Sequence, residues 1–266
     1  MTGAARAPIV DEVIGGLAVY RHSGSTDGRA EGARVVFVHG SMDRSASFLK
    51  VVRRLDDLDL VRYDRRGYGR SVGAGPAPSI DAQVDDLVAV LDARPAVVVG
   101  HSLGGVVALA AAEKHPELVV SVGAFEAPMS WLGWWPSGSA GGVAVTTDSS
   151  PADAAEGFMR RMIGDDRWER LPTRTRRERR AEGPALLAEL ASIRGLAPYD
   201  PTQVFVPVLA GYGSESKPYH QRAARELAEL APRGELTGIE GAGHAAQSSH
   251  ADAFATFVRR VVARAN

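Results

Sequence analysis

Short apolar runs alternate with longer segments of helical periodicity from residue 15 onward. Branched aliphatic runs bounded by turn residues predict buried strands, and amphipathic or small-residue stretches predict helices between them. This alternation is typical of an α/β fold with a mostly parallel sheet flanked by helices. The predicted strands cover residues 17–21, 34–39, 60–63, 96–99, 119–125, 204–210 and 234–239.

One connection interrupts the alternation, because residues 126–203 show no strand–helix–strand pattern. A connection of this length in an α/β fold usually covers an active site. We therefore expect an α/β core of residues 1–128 and 199–266, with a helical cap over residues 129–198 inserted after the sixth strand. The connection begins with a tryptophan-rich segment and a Gly/Ser-rich loop at 137–142, and helices are predicted around 152–163, 174–182 and 184–193.

The run VVVGHSLGG at residues 97–105 joins a predicted strand to a predicted helix through Gly-x-Ser-x-Gly. This is the pattern of a nucleophile elbow, in which the serine sits on a very tight turn. Gly100 and Gly104 leave the room that the turn needs, so that the Ser102 hydroxyl projects from the carboxyl edge of the sheet. The pentapeptide alone is a weak signal, but its flanking strand and helix make Ser102 the predicted nucleophile.

A serine hydroxyl needs a base to take its proton, and seven histidines are available. His244 is the best candidate because the sequence GAGH at 241–244 follows the last predicted strand, where a Gly-rich loop can return a side chain to the carboxyl edge. His39 is expected to order the loop after its strand, and His101 is the variable residue of the elbow. His115 lies beside a helix-ending proline. His22, His220 and His250 are expected to be surface or capping residues.

The acid that orients His244 has two main candidates. Glu126 follows the predicted strand 119–125 directly, whereas Glu215 lies deeper in a Gly/Ser loop after the strand 204–210. We favour Glu126, since a residue at a strand end has a better defined direction. Glu215, Asp200 and a Ser–His dyad without an acid stay open.

Two N–H donors are needed to stabilise a tetrahedral intermediate. The backbone of Leu103, directly after the nucleophile and at a helix N-terminus, is predicted to supply one. The second is expected from the loop after the strand 34–39, where Gly40 allows close approach. The Ser41 N–H is our choice there, and Met42 is the reserve.

Together these motifs resemble the α/β-hydrolase family with a lid. The resemblance covers nearly the whole chain and rests on HG at 39–40, YDRRGYGRS at 63–71, GHSLGG at 100–105 and GAGH at 241–244, in family order. The second motif looks like a structural turn of that family, which implies that Asp64 and Arg70 order a loop.

The resemblance also bears on the acid. In most members the acid follows the strand that matches residues 204–210, usually as an aspartate, and that position is Ser214 here. Some members, including haloalkane dehalogenases and relatives with a Glu-x-Pro sequence, carry it after the strand that matches 119–125. The sequence Glu126-Ala127-Pro128 looks like that variant.

The resemblance implies an acyl-enzyme route, because Ser102 stands where dehalogenases and epoxide hydrolases have an aspartate nucleophile. We expect hydrolysis of a carboxylic ester, lactone or thioester of a small to medium apolar substrate. A carbon–carbon bond hydrolase, a cofactor-free lyase or peroxidase and a non-catalytic ligand receptor remain alternatives. The residues expected to contact the substrate are His39, Gly40, His101, Trp131, Trp134 and Trp135.

Composition narrows the classes of partner. The chain has 31 basic and 32 acidic residues, so bulk charge predicts neither a nucleic-acid nor a membrane partner. The Arg-rich run at 174–180 is read as a solvated helix face. No cysteine is present, which excludes thiolate metal sites, and the histidine spacing suggests no metal or other cofactor. We expect a cytoplasmic protein, since residues 1–11 lack a signal-peptide pattern. We also expect a monomer or homodimer that acts on a small molecule.

Overall fold

The computed structural model describes residues 10–22, 34–146 and 148–265. An eight-stranded sheet runs through the protein, with helices on both faces. Its strands are β1 (Val10–Ile14), β2 (Leu17–His22), β3 (Val35–Val38), β4 (Leu60–Tyr63), β5 (Ala96–His101), β6 (Val119–Phe125), β7 (Val208–Gly213) and β8 (Gly234–Ile239). The helices are α1 (Leu49–Val52), α2 (Ile80–Leu91), α3 (Leu103–Lys114), α4 (Ala140–Thr146), α5 (Pro151–Ile163), α6 (Asp165–Glu169), α7 (Thr173–Ala181), α8 (Gly183–Ser192), α9 (Pro218–Leu230), α10 (Ala246–Ser249) and α11 (Ala251–Ala263).

The strand order is β1-β2-β4-β3-β5-β6-β7-β8. All neighbours from β4 to β8 are parallel, and β1 and β2 add an antiparallel edge. The predicted α/β class with a mostly parallel sheet is therefore confirmed. Every residue of β3 and β5 is buried, as expected for valine-rich strands covered on both faces. Because these strands are parallel, the loops after β3, β5, β6, β7 and β8 all emerge at one edge.

The structure differs from the predicted elements in three places. A first strand, β1, pairs with β2 before the first predicted strand. The predicted strand 204–210 begins only at Val208, because Pro207 has no N–H for a ladder and the chain before it forms a 3₁₀ turn at Pro201–Gln203. The predicted loop 137–142 overlaps α4, where the Ser139 hydroxyl accepts a 3.1 Å hydrogen bond from the Gly142 N–H.

The turn at residues 63–71 is ordered by Asp64. Its two carboxylate oxygens accept 2.9 Å hydrogen bonds from the backbone N–H groups of Ser45 and Arg70, and its carbonyl accepts a 2.6 Å bond from the Ser71 hydroxyl. Gly69 has a φ of +55° and lies so close that a β-carbon there would overlap the Asp64 carboxylate. These contacts agree with the loop-ordering role expected for Asp64.

Helices α4 to α8 lie between β6 and β7, and we call them the insertion helices. Their apolar side chains belong to the same cluster as one face of the sheet. Polar contacts tie them to the core as well: Glu189 of α8 forms a 2.8 Å ion pair with Arg65, and its other oxygen accepts a 2.6 Å hydrogen bond from the Tyr68 hydroxyl. No helix in the described ranges is long and apolar enough to cross a bilayer.

Candidate active site

Ser102 occupies a strained turn between β5 and α3. Its φ of +53° and ψ of −125° are unusual for a residue with a side chain. A β-carbon at Gly100 would overlap the Gly104 carbonyl, and one at Gly104 would overlap the Val38 carbonyl. The Ser102 N–H donates a 2.9 Å hydrogen bond to the Phe125 carbonyl, which anchors the turn to β6. The local geometry is that of the predicted elbow.

The loop after β3 lies directly against this turn. A β-carbon at Gly40 would stand 2.9 Å from the β-carbon of Ser102, so only glycine allows this approach. Ser41, Met42 and Leu103 line the same cavity as Ser102, and Met42 has a φ of +54°. The assignment of the Ser41 and Leu103 N–H groups as oxyanion donors, with Met42 in reserve, stays a prediction.

His244 and Glu126 form the closest polar pair at this edge. Nδ1 of His244 lies 2.6 Å from Oε2 of Glu126, and the second carboxylate oxygen accepts a 2.8 Å hydrogen bond from the Gly213 N–H. Glu126 is completely buried and has a φ of +51°. Burial alone would raise its pKa, but the hydrogen bond and charge of His244 outweigh burial and lower the pKa to about 2. Glu126 is therefore an ionised acceptor for the His244 ring.

The other two acid candidates, Glu215 and Asp200, make different contacts. Glu215 is exposed, and its N–H donates a 2.9 Å hydrogen bond to the Ala242 carbonyl. Its neighbour Ser214 accepts a 2.8 Å bond from the Gly241 N–H. The Asp200 carboxylate caps the 3₁₀ turn through the Thr202 N–H at 2.9 Å. Among the described carboxylates, the one that hydrogen bonds to His244 is Glu126.

His101 holds the backbone of His244. Its Nε2 donates a 2.7 Å hydrogen bond to the His244 carbonyl, and its Nδ1 lies 3.3 Å from the amide nitrogen of Gln247. Burial and the nearby His244 lower the pKa of His101 to about 3. The variable residue of the elbow is thus a neutral ring that fixes the position of His244.

His220 is buried beside His244 and is not the surface or capping residue that the sequence predicts. Its ring stacks on His244, with centroids 4.5 Å apart and planes inclined by 28°. Burial, with a smaller effect of His244, lowers its pKa to about 3, and its Nδ1 is buried without a hydrogen-bond partner, 4.0 Å from Oε2 of Glu126. One feature of the sequence could have indicated this position. His220 lies in the first turn of the helix that follows β7, and that turn is close to the carboxyl edge of the sheet.

Glu126, His220 and His244 also offer ligand atoms within 4.8 Å of one another, a spacing that admits a metal ion. An imidazole binds a metal in the plane of its ring, along the lone pair of one nitrogen. The two rings are stacked, so their in-plane lone pairs do not converge on one point. Nδ1 of His244 is moreover already bonded to Glu126. The arrangement suits proton transfer better than metal binding.

The cavity in front of Ser102 has a volume of about 410 Å³. His101, His244 and Trp135 line it together with apolar side chains of the insertion helices. Four residues expected to contact the substrate are not among the lining residues: His39, Gly40, Trp131 and Trp134.

These four have other surroundings. His39 is fully buried, where its Nε2 accepts a 2.8 Å hydrogen bond from the Arg65 N–H and its Nδ1 donates to the Gly40 carbonyl at 2.8 Å. Trp131 packs edge-on against Tyr199. Trp134 stacks under the guanidinium of Arg222, which lies 4.1 Å from its ring. His39 and Gly40 therefore shape the loop behind Ser102, and the two tryptophans pack beside the cavity.

A sequence model described as the alpha/beta hydrolase family matches residues 35–257. The chain belongs to the alpha/beta hydrolase family. The matched range contains the elbow, Glu126, the insertion helices and His244. In this α/β hydrolase, about half of the residues that line the cavity come from the chain between β6 and β7, which contains the insertion helices.

Known proteins similar to this α/β hydrolase differ in their names. Lipase LipV of Mycobacterium tuberculosis is 38% identical over 93 residues, which cover 34% of this chain and 35% of the lipase. The match therefore spans about a third of that curated relative. An enol-lactonase from Burkholderia xenovorans LB400 superposes with a TM-score of 0.70 at 22% identity, covering 95% of this chain and 99% of the lactonase. A meta-cleavage product hydrolase from Pseudomonas fluorescens IP01 gives a TM-score of 0.72 at 20% identity, covering 96% and 98%. These structural likenesses establish the fold.

Proposed function

We propose that the protein is a serine hydrolase that cleaves a carboxylic ester, or a related lactone or thioester, through Ser102, His244 and Glu126. The observation that carries the proposal is the 2.6 Å hydrogen bond between a fully buried, ionised Glu126 and His244, beside a cavity that Ser102 also lines. A buried carboxylate that fixes the tautomer and orientation of a histidine beside a serine that lines the same cavity is the arrangement that nucleophilic acyl transfer requires.

In the proposed reaction, Ser102 Oγ attacks the carbonyl carbon while Nε2 of His244 takes its proton. Glu126 stabilises the imidazolium through Nδ1. The developing oxyanion receives hydrogen bonds from the Leu103 and Ser41 N–H groups. His244 then protonates the leaving alkoxide or thiolate, which leaves an acyl-enzyme. Water, activated by the same histidine, attacks the acyl carbon, and the Ser102 oxygen leaves with the returned proton.

The cavity supports a small to medium, largely apolar substrate. Its volume of about 410 Å³ lies toward the low end of the usual range for ligand pockets. Side chains such as Met42, Phe158, Met159, Leu190 and Ile193 line it, so the alkyl portion of an ester would be buried against them. Burial of apolar surface would supply the binding energy, and the polar edge at Ser102 would orient the carbonyl.

Turnover of p-nitrophenyl esters of increasing acyl length, of γ- and δ-lactones and of acyl thioesters tests the proposal. We expect hydrolysis in at least one class, with a best acyl length set by the cavity, and loss of that activity in Ser102→Ala. A carbon–carbon bond hydrolase would instead turn over none of these esters, lactones or thioesters. A ligand receptor would bind without any product, and either result would contradict acyl hydrolysis.

A further inference from the structure

Three charged side chains line the otherwise mostly apolar cavity: Asp43, Arg179 and Arg194. Arg179 already has partners, because its Nη1 donates to the Met42 carbonyl at 2.8 Å and lies 3.3 Å from the Glu182 carboxylate. Asp43 enters from the loop after β3 and does not pair with Arg194. Arg194 therefore brings a positive charge into the cavity without a matching carboxylate.

The guanidinium of Arg194 lacks an ion-pair partner within the described ranges, and its Nε is buried without a hydrogen bond. Burial lowers its pKa, and no neighbouring carboxylate offsets this. Other half-buried arginines differ in this respect. Arg66 is paired with Asp86 at 2.5 Å, and Arg160 lies 2.8 Å from Glu156. A partly desolvated charge costs free energy unless it is paired, so the unpaired state of Arg194 requires a reason.

The backbone around Arg194 is fixed. Its N–H donates to the Ala191 carbonyl at the end of α8, and the neighbouring Ile193 carbonyl accepts a 3.1 Å hydrogen bond from the Ser130 hydroxyl. The guanidinium lies against Gly141 of α4, where an added β-carbon would stand 3.8 Å from Nη2. The cation thus lies beside α4 on a residue that directly follows α8, and Gly141 and Ile193 also line the cavity.

We propose that Arg194 binds a carboxylate of the substrate, so that the preferred substrate is a half-ester or another acyl compound with a free carboxylate at one end. The proposal rests on the proposed acyl hydrolysis for the role of the other end. A guanidinium presents paired N–H donors in a plane, which match the two oxygens of a carboxylate. The apolar walls would hold the chain between this carboxylate and the carbonyl at Ser102.

The direct test measures binding without turnover. Monomethyl esters of succinate, glutarate and adipate, and the matching dimethyl esters, are titrated by calorimetry into Ser102→Ala. At least one half-ester should bind more tightly than its diester, and Arg194→Gln in the same background should weaken it by roughly 10- to 100-fold, the value of a charge-assisted pair. The diesters should change less than about 3-fold. Equal affinity for half-ester and diester, no binding of any half-ester, or indifference to Arg194→Gln would overturn the carboxylate site.

Two controls separate recognition from structure. Arg161→Gln removes the same charge from an exposed position of α5 and should leave both affinities unchanged. Thermal unfolding of Arg194→Gln should occur at the same or a higher temperature than in the parent, because an unpaired, partly buried charge is removed. A lower unfolding temperature together with equal loss for half-ester and diester would assign Arg194 a structural role instead.

Turnover by the parent protein, in which Ser102 is intact, distinguishes the proposed acyl hydrolysis from the proposed carboxylate site. If half-esters bind in an Arg194-dependent way but none is hydrolysed, acyl hydrolysis is wrong and the carboxylate site stands. If neutral esters are hydrolysed as well as half-esters and Arg194→Gln leaves both rates unchanged, acyl hydrolysis stands and the carboxylate site is wrong.

Discussion

Nδ1 of His244 lies 2.6 Å from Oε2 of Glu126, and this bond joins the loop after β8 to the end of β6. Glu126 is held from its other oxygen by the Gly213 N–H at 2.8 Å. The position of the Glu126 carboxylate is therefore fixed by two adjacent strands, independently of its bond to His244. Such a fixed acceptor selects the His244 tautomer whose Nε2 is free to take a proton.

Replacement of Glu126 by glutamine is expected to lower kcat by roughly 10²- to 10⁴-fold, since the amide can stabilise the wrong tautomer and does not stabilise an imidazolium. Steady-state kinetics on the best ester or lactone measure the effect. Glu215→Gln is the matched control, because that carboxylate is exposed, and its kcat should stay near the parent value. The opposite ranking of the two variants would move the acid to Glu215.

The ion pair between Arg65 and Glu189 is expected to be important for stability, because both side chains are only 2% exposed. Glu189→Gln leaves the buried guanidinium without its counter-charge and should lower the free energy of unfolding by about 3–5 kcal/mol. Urea denaturation measures this. Glu178→Gln removes the partly exposed carboxylate that pairs with Arg174 and Arg44, and it should change stability much less. A similar loss of unfolding free energy in both variants would mean that the buried Arg65–Glu189 pair contributes no more to stability than an exposed pair.

The elbow is expected to tolerate no side chain at position 104. A β-carbon there would overlap the Val38 carbonyl, so Gly104→Ala should destabilise the protein by about 1–3 kcal/mol or more and reduce activity. Gly157→Ala is the control: outside the neighbouring residues and the backbone of its own helix, no atom lies within 4 Å of the added β-carbon. The substitution within α5 should stabilise the protein by about 0.5–1 kcal/mol. Chemical denaturation compares the two. Equal effects would mean that the packing around Gly104 relaxes freely.

Stability is expected to fall in mild acid. Burial lowers the pKa of His39, His101 and His220 to about 3, below the ordinary value of 6.5. The unfolded chain therefore binds more protons than the folded protein between about pH 6.5 and pH 3, and the free energy of unfolding decreases as the pH falls through that window. Each histidine contributes about 1.4 kcal/mol per pH unit well below pH 6.5.

The variant His220→Phe measures the contribution of one of these histidines to the pH dependence of stability. The phenyl ring keeps a flat partner for His244 and takes up no proton, so the dependence of unfolding free energy on pH between 6 and 4 should decrease by about one proton. Urea titrations at a series of pH values provide the measurement. An unchanged slope would mean that His220 is protonated in the folded protein.

Local patterns made much of the candidate site predictable. The elbow depends on Gly100 and Gly104 beside a valine-rich strand, and the loop with His244 depends on glycines after the last strand, so each is visible within a few residues. Glu126 was identifiable because a strand end has a defined direction. The sheet followed from the alternation of apolar strands and helices.

Features that depend on packing between distant segments were not predictable in the same way. His220 and His244 meet through the placement of α9, and Arg194 reaches the cavity through the packing of α8 against α4. Of the three neighbouring tryptophans, Trp135 lines the cavity. Trp131 packs against Tyr199 and Trp134 against Arg222, and both partners come from distant parts of the chain. These contacts cannot be predicted from the spacing of residues in the sequence alone.

The most direct test of the account is labelling with a small fluorophosphonate, followed by intact-mass measurement and peptide mapping. The reagent reports a serine activated by a base and needs no knowledge of the substrate. We expect one adduct, on the peptide that contains Ser102, and no adduct in His244→Ala under the same conditions. Labelling that persists in His244→Ala, or its absence from the parent protein under conditions that label a reference serine hydrolase, would contradict an activated Ser102.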